Sequence, residues 1–132
     1  MKKQMVFLGL IFLGLILLNC SEQPKKKGEP AKSSASQMGL KAPQGAANKE
    51  AAGKNDEGVS HLVQRQWGTA AGFFKEAIEA DPNLAEAHFN LALSLHKTGK
   101  HGDATEHFKK AKELASGNSK IINNKILKDH VK

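Results

Sequence analysis

The feature that most constrains the fold of this chain is a pattern of small and aromatic residues that recurs 34 positions further along. A period of about 20–50 residues indicates stacked structural units that bury a common core. Intervals of three and four residues within each set place the apolar side chains on one face of a helix. A short array of helical repeats is therefore predicted. The two matching sets are Ala70, Phe74, Ala77 and Ala104, Phe108, Ala111.

Apolar periodicity also predicts where the helices lie, with a weaker candidate helix before Trp67. Pro82 ends the first strong helix, because proline disfavours helical backbone in the residue before it. Gly99 ends the second, as glycines commonly do at helix C-termini. Residues 119–132 are predicted to form a final helix that caps the array, with Ser119 at its N-terminus. The three strongest helical segments are residues 67–80, 84–98 and 101–115.

The stretch AEAHFNLALSLHKTGKHGDATEHFKKAKELA, with ADPN before it, resembles the tetratricopeptide repeat. The resemblance covers about residues 51–118 and implies an all-α fold of two antiparallel helix pairs, at about 51–84 and 85–118, with the folded domain beginning near residue 56. Because about three repeats are the usual minimum, either marginal stability as a monomer or pairing with another chain, such as a second copy, is expected. The repeat core expected from this pattern is Trp67, Ala70, Phe74, Ala77, Pro82, Leu91, Ala92, Leu95, Ala104, Phe108 and Ala111.

Three glycines depart from the repeat pattern. Gly58 falls in the first helix, which also lacks the early aromatic residue of the family. Gly68 and Gly72 fall in the second helix and are expected to weaken it by ~1 kcal/mol each relative to alanine.

The resemblance also implies a binding surface on the first helix of each pair. In tetratricopeptide proteins this surface is concave and holds extended or helical peptides. Asn90 stands where the family often uses an asparagine to bond a ligand backbone, although it could instead bond a neighbouring helix. Lys97 could meet a ligand carboxylate or remain solvated. The implied groove residues are Glu86, Phe89, Asn90, Leu93, His96 and Lys97.

The N-terminal 19 residues are typical of a signal peptide. Their uncharged run, residues 5–18, would span roughly 21 Å as a helix, which is short for a hydrocarbon core of about 30 Å. The letters LLNC followed by Ser21 resemble the lipobox of bacterial lipoproteins. That resemblance implies that the Cys20 thiol carries diacylglycerol and that acyl chains such as palmitate anchor the protein to a bacterial membrane. If the source is a double-membraned bacterium, Ser21 after the cysteine implies sorting to the periplasmic face of the outer membrane. A retained signal anchor and a buried thiol are the alternatives.

Residues 20–55 are predicted to form a disordered tether, because they are rich in Lys, Pro, Gly, Ser and Ala and lack apolar periodicity. Lys25–Lys27 could contact anionic headgroups or only keep the linker soluble. Net charge is +4 over residues 21–55, −2 over 56–116 and +3 over 117–132. Since the folded part is mildly acidic, a nucleic-acid partner is not expected.

No sequence motif for catalysis or cofactor binding is present: a nucleophile elbow, phosphate loop, dinucleotide fingerprint and HExxH are all missing. A non-enzymatic protein without cofactor is therefore predicted. Histidines 88, 96, 101 and 107 could in principle bind Zn or Cu. However, they form no i, i+4 pair, and His88 and His101 occupy positions that the repeat gives to core aromatic residues. No metal site is predicted.

Together these features predict a membrane-anchored lipoprotein that acts as a protein- or peptide-binding scaffold in cell-envelope assembly or secretion. Two alternatives belong to other classes. One is a polyanion-binding envelope protein that uses Lys25–Lys27, Lys32 and the basic C-terminal helix. The other is a histidine-dependent metal carrier.

Overall fold

The computed structural model describes residues 38–132, and this part of the chain is helical without strands. The predicted signal peptide, the predicted lipidation site Cys20 and the first part of the predicted tether lie outside the described residues. Among the helices between residues 38 and 132, none is both long enough and apolar enough to cross a membrane. The helices are α1 (Lys49–Val63), α2 (Trp67–Ala80), α3 (Ala85–Lys97), α4 (His101–Leu114), α5 (Ser119–Ile122) and α6 (Lys125–His130).

The helix ends follow local chemistry. Asn48 caps α1, where its side-chain oxygen accepts from the Ala51 amide at 3.0 Å, and its Nδ2 also donates to the Ala80 carbonyl at 2.7 Å. One side chain thus ties the start of α1 to the end of α2. After α3 the chain turns at Gly99, whose φ of +80° lies in the left-handed region that favours glycine.

The helices pack as the repeat pattern predicts, with α1 against α2, α3 against α4, and α2 against α3. The fold is all-α with repeat-like packing, so the predicted fold class is confirmed. Three phenylalanines, Phe74, Phe89 and Phe108, are fully buried in one core. The rings of Phe89 and Phe108 meet edge to face with centroids 5.7 Å apart, a favourable arrangement for aromatic pairs.

The predicted repeat core is buried except at two positions. Trp67 is half-buried at the first position of α2 and packs against the edge of the core. Pro82 is exposed, because the α2–α3 turn needs its backbone rather than its side chain. Its carbonyl accepts a hydrogen bond from His88 Nε2 at 3.0 Å.

Gly58 has a packing role that the sequence did not reveal. It is buried where α1 crosses α2, and a Cβ added there would lie 2.5 Å from Cε1 of Phe74. Glycine at this position lets the ring lie directly on the α1 backbone. By contrast, Gly53 in the same helix, like Gly68 and Gly72 in α2, faces open space.

Two predicted boundaries differ from the structure. Helix α1 begins at Lys49, so residues 49–55 belong to the first helix pair rather than to the tether, since the Asn48 cap starts the helix earlier than apolar periodicity indicates. The single capping helix over residues 119–132 is two short helices, α5 and α6. Asn124 interrupts it, because its side chain accepts from the amides of Ile126 and Leu127 and starts a new helix. The N-cap of α5 is Asn118 rather than Ser119.

Candidate functional site

Helices α1 and α3, the first of each pair, carry polar side chains at equivalent places in the repeat. Asn90 on α3 lies 34 residues after Asp56 on α1, which is the period of the repeat. Asn55 lies beside Asp56, and both Asn55 and Asn90 are completely buried. The surface formed by Asn55, Asp56 and Asn90 is called the α1–α3 face below.

A segment of the chain itself, residues 38–42, lies across the α1–α3 face. The Leu40 amide donates to Asn90 Oδ1 at 2.8 Å, and Asn90 Nδ2 donates back to the Leu40 carbonyl at 2.6 Å. Two residues further on, the Ala42 amide donates to Asp56 Oδ1 at 3.0 Å. Side chains at equivalent repeat positions therefore hold the amides of alternate residues. Asn90 therefore bonds the backbone of its own chain at Leu40 and also the neighbouring helix α1 through Asn55, while its bonding of a separate ligand stays a prediction.

Asn55 links the two helices beneath the segment. Its Nδ2 donates to the Leu40 carbonyl at 3.0 Å, while its Oδ1 accepts from Asn90 Nδ2 at 2.8 Å. Because the Leu40 amide is a donor, Asn90 must present its oxygen to it, and the Asn90 NH₂ group then faces two acceptors. Among the described residues, every buried side-chain polar atom has a hydrogen-bond partner. A network satisfied in this way fixes the position of the bound backbone.

Apolar contacts also hold residues 38–42 against the helices. A Cβ at Gly39 would lie 3.4 Å from Val59 and 3.5 Å from Leu62, so the backbone runs close to α1. The side chains of Met38 and Leu40 pack against the main core. The segment therefore buries both backbone and side-chain surface.

The other predicted groove residues have different surroundings. Phe89 and Leu93 are 1% and 5% exposed and belong to the core rather than to an open surface. Glu86 is buried and accepts from Asn118 Nδ2 at 2.8 Å. Lys97 is exposed at the end of α3.

His96 faces the C-terminal helix, where its Nδ1 lies 2.9 Å from His130 Nε2. Burial lowers the pKa of His96 below its ordinary value of 6.5, and repulsion between its protonated form and the neighbouring His130, His101 and Lys97 lowers the pKa further. Of the six predicted groove residues, Asn90 is thus the one that forms hydrogen bonds with residues 38–42.

A second histidine pair lies between α3 and α4. His88 Nδ1 is 3.1 Å from His107 Nδ1. Since His88 Nε2 donates to the Pro82 carbonyl, its Nδ1 carries the lone pair and accepts from His107. Burial lowers the pKa of both histidines, and the Pro82 carbonyl partly opposes this for His88. The pair is a structural link between neutral rings.

An open cleft of about 840 Å³ borders the bound segment. The residues that line it include Leu40 and Lys41 of the segment, together with Glu86, Asn118 and Lys120. Additional chain could therefore lie beside residues 38–42 without displacing the core.

Residues 73–106 match the family model described as tetratricopeptide repeat. The matched stretch runs from the middle of α2, through α3, into α4. No curated protein and no solved structure matches the chain significantly. The match and the helical packing support a protein of the tetratricopeptide-repeat type, and repeats of this type suggest a scaffold for protein–protein interaction.

Sequence reasoning missed the bound segment and its partners on α1. The 34-residue period offers a signal for Asp56, because it is the repeat equivalent of Asn90. Met38 and Leu40 offer a weaker one, as two large apolar residues in an otherwise polar stretch.

Proposed function

We propose that this protein is a non-enzymatic scaffold whose α1–α3 face binds an extended segment of a protein partner. The observation that carries the proposal is that Asn90 and Asp56 accept hydrogen bonds from the backbone amides of two alternate residues, Leu40 and Ala42. Asn90 also donates to the Leu40 carbonyl. Backbone contacts provide affinity for an extended peptide, and adjacent pockets for its side chains provide specificity. The cleft beside residues 38–42 supplies such a pocket.

Residues 38–42 act in this proposal as an internal ligand that the partner displaces. A segment tethered by a short linker competes at an effective concentration on the order of millimolar. The internal segment therefore lowers the apparent affinity of any partner that uses the same amide positions. The partner therefore binds only as the internal segment is released.

The proposal includes a lipid anchor at Cys20 in a bacterial envelope, with a role in envelope assembly or secretion. Its support is the apolar run of residues 5–18 and the lipobox-like letters that follow it. An outer-membrane location rests on Ser21 after the cysteine. Palmitate labelling of the wild-type chain that disappears in Cys20→Ala is the expected result, and labelling that persists would reject the anchor.

Crosslinking and pull-down from native membranes test the binding face with two variants of opposite expected effect. Asn90→Ala removes the side chain that hydrogen-bonds a peptide backbone and is expected to reduce partner capture. Leu40→Ala weakens the packing of the internal segment and is expected to increase it. Asn83→Ala, at an exposed position in the α2–α3 turn, is the matched control.

Unchanged capture by a folded Asn90→Ala chain would refute the binding face. Far-UV circular dichroism of each variant separates this result from loss of the fold. Capture that disappears between low and moderate salt would instead support the polyanion-binding alternative, because exposed charges are screened at that ionic strength.

A further inference from the structure

Three histidines from three helices meet at the C-terminal end of the fold. His96 lies in the last turn of α3, His101 is the first residue of α4, and His130 is the last residue of α6. One ring nitrogen of each lies within 4.8 Å of the corresponding nitrogens of the other two. Along the chain, His130 lies 29 positions after His101, so no local motif predicts the cluster.

A neighbouring threonine sets the proton position on His130. The Thr105 hydroxyl donates to the His101 carbonyl at 2.8 Å, so its oxygen is left to accept from His130 Nδ1 at 2.8 Å. With its proton on Nδ1, His130 carries a lone pair on Nε2, the atom that faces His96. Hydrogen bonds of this kind orient histidine ligands in metal sites and select the nitrogen that binds.

Packing also holds the His130 ring in place. Its centroid lies 5.1 Å from that of the fully buried Phe108, and its plane is stacked on His101 at 5.8 Å. His101 itself is exposed and has room to adjust. Two rings are therefore held by packing and hydrogen bonds, and the third is free to close on an ion.

We propose that His96, His101 and His130 bind one divalent transition-metal ion of the class that prefers imidazole, with Zn²⁺ as the ion tested first. Three histidines with an open fourth position for water form a known zinc arrangement. Tetrahedral bonds of about 2.0–2.1 Å place ligand nitrogens roughly 3.3 Å apart. The 2.9 Å His96–His130 pair must open slightly, and the proton that His96 Nδ1 donates to His130 must move to Nε2 of His96 so that Nδ1 can bind the ion. The widest pair, at most 4.8 Å, must close by up to about 1.5 Å.

The site would join the C-terminal helix to the hairpin between α3 and α4. Helix α6 has six residues and is too short to be stable without tertiary contacts. An ion that binds the folded chain stabilises it by RT ln(1 + [L]/Kd). This inference is independent of the proposed binding face, because none of the three ligands forms a hydrogen bond with residues 38–42.

Calorimetric titration with Zn²⁺ alone tests the site on the full-length chain in detergent. All variants carry Cys20→Ser, which removes the only thiol. We expect one ion per chain and a higher Tm with Zn²⁺. His101→Ala should weaken binding at least about tenfold while leaving the metal-free Tm nearly unchanged, because the side chain is exposed.

His107→Ala and His61→Ala are the matched controls, since both histidines lie outside the cluster. Wild-type-like Zn²⁺ binding by His101→Ala and His130→Ala would overturn the proposal. So would loss of binding in His107→Ala alone, or failure of the unsubstituted cluster to bind.

The orientation argument has its own readout in the ¹⁵N spectrum of the histidine rings. Zn²⁺ should shift Nε2 of His130 while its Nδ1 keeps its proton and its bond to Thr105. Zinc bound through Nδ1 of His130 would overturn the assigned geometry.

Discussion

Gly58 and Gly53 lie in the same helix and predict opposite effects of the same substitution. A Cβ at Gly58 would lie 2.5 and 2.7 Å from two ring carbons of Phe74, whereas a Cβ at Gly53 meets nothing within 4 Å. Phe74 is fully buried, so its ring cannot retreat into solvent. Overpacking of this kind costs typically about 1–3 kcal/mol.

The same substitution also brings a gain in helix stability. Alanine is favoured over glycine within a helix by roughly 0.5–1 kcal/mol. Gly53→Ala should therefore stabilise the chain by about that amount. For Gly58→Ala the cost of the clash opposes this gain, and the expected net loss is up to about 2.5 kcal/mol. With a Tm change of about 4–8 °C per kcal/mol for a domain of this size, the two variants should differ clearly in thermal unfolding.

Thermal and urea unfolding followed by far-UV circular dichroism measures both variants. A Phe74→Leu background supplies a further check, because removal of the ring should make Gly58→Ala neutral or stabilising. The expected coupling energy between the two positions is about 1–3 kcal/mol. Equal stabilisation by Gly53→Ala and Gly58→Ala would refute the close contact between α1 and the Phe74 ring.

Three other perturbations have definite expected outcomes. Asn90→Ala leaves backbone and side-chain partners unpaired, which should cost about 1–3 kcal/mol and speed trypsin cleavage after Lys41. Burial lowers the pKa of His88 and His107 in the folded chain. In the unfolded chain both histidines have a pKa of about 6.5, so the unfolded chain binds more protons as the pH falls below that value. Their contribution to stability is therefore complete above that pH and is lost as pH falls towards the lowered values. Asn124→Ala removes the cap of α6 and should cost about 1 kcal/mol.

Each outcome has a control. Slow cleavage after Lys41 in Asn90→Ala would show that residues 38–42 stay bound without it. Equal urea midpoints at about pH 8 and about pH 5.5 would contradict the histidine argument. Asn123→Ala removes only an exposed 3.4 Å contact with Lys128 Nζ and should change α6 little, and a loss equal to that of Asn124→Ala would argue against the Asn124 cap.

Helices α2, α3 and α4 were predictable because each depends on residues close together in sequence. Helix α1 was only a weaker candidate, and it begins earlier than predicted, at Lys49. Spacings of three, four and 34 residues identify Phe74 and Phe108 as equivalent core positions, and Gly99 marks a helix end through its own backbone preference. The match to the repeat family and the helical packing confirm the predicted fold class.

The contacts that define the candidate sites depend instead on residues far apart in sequence. Leu40 meets Asn90 across 50 residues, and His130 meets His96 across 34. Neither contact has a spacing rule that separates it from other pairs of polar residues. The role of Gly58 could not be predicted from the sequence either. A glycine lowers the stability of an isolated helix, and here it is favourable only because the Phe74 ring packs against it.

Under the proposed function, the hydrogen bonds to the alternate residues Leu40 and Ala42 fix the register in which a ligand lies on the α1–α3 face. In an extended chain, alternate residues are about 6–7 Å apart, and one repeat advances the contact by that distance. Each repeat would therefore account for two residues of an extended ligand. Two repeats sample only a short stretch of peptide, and an added repeat in the same register would lengthen the stretch without altering how either existing amide is held.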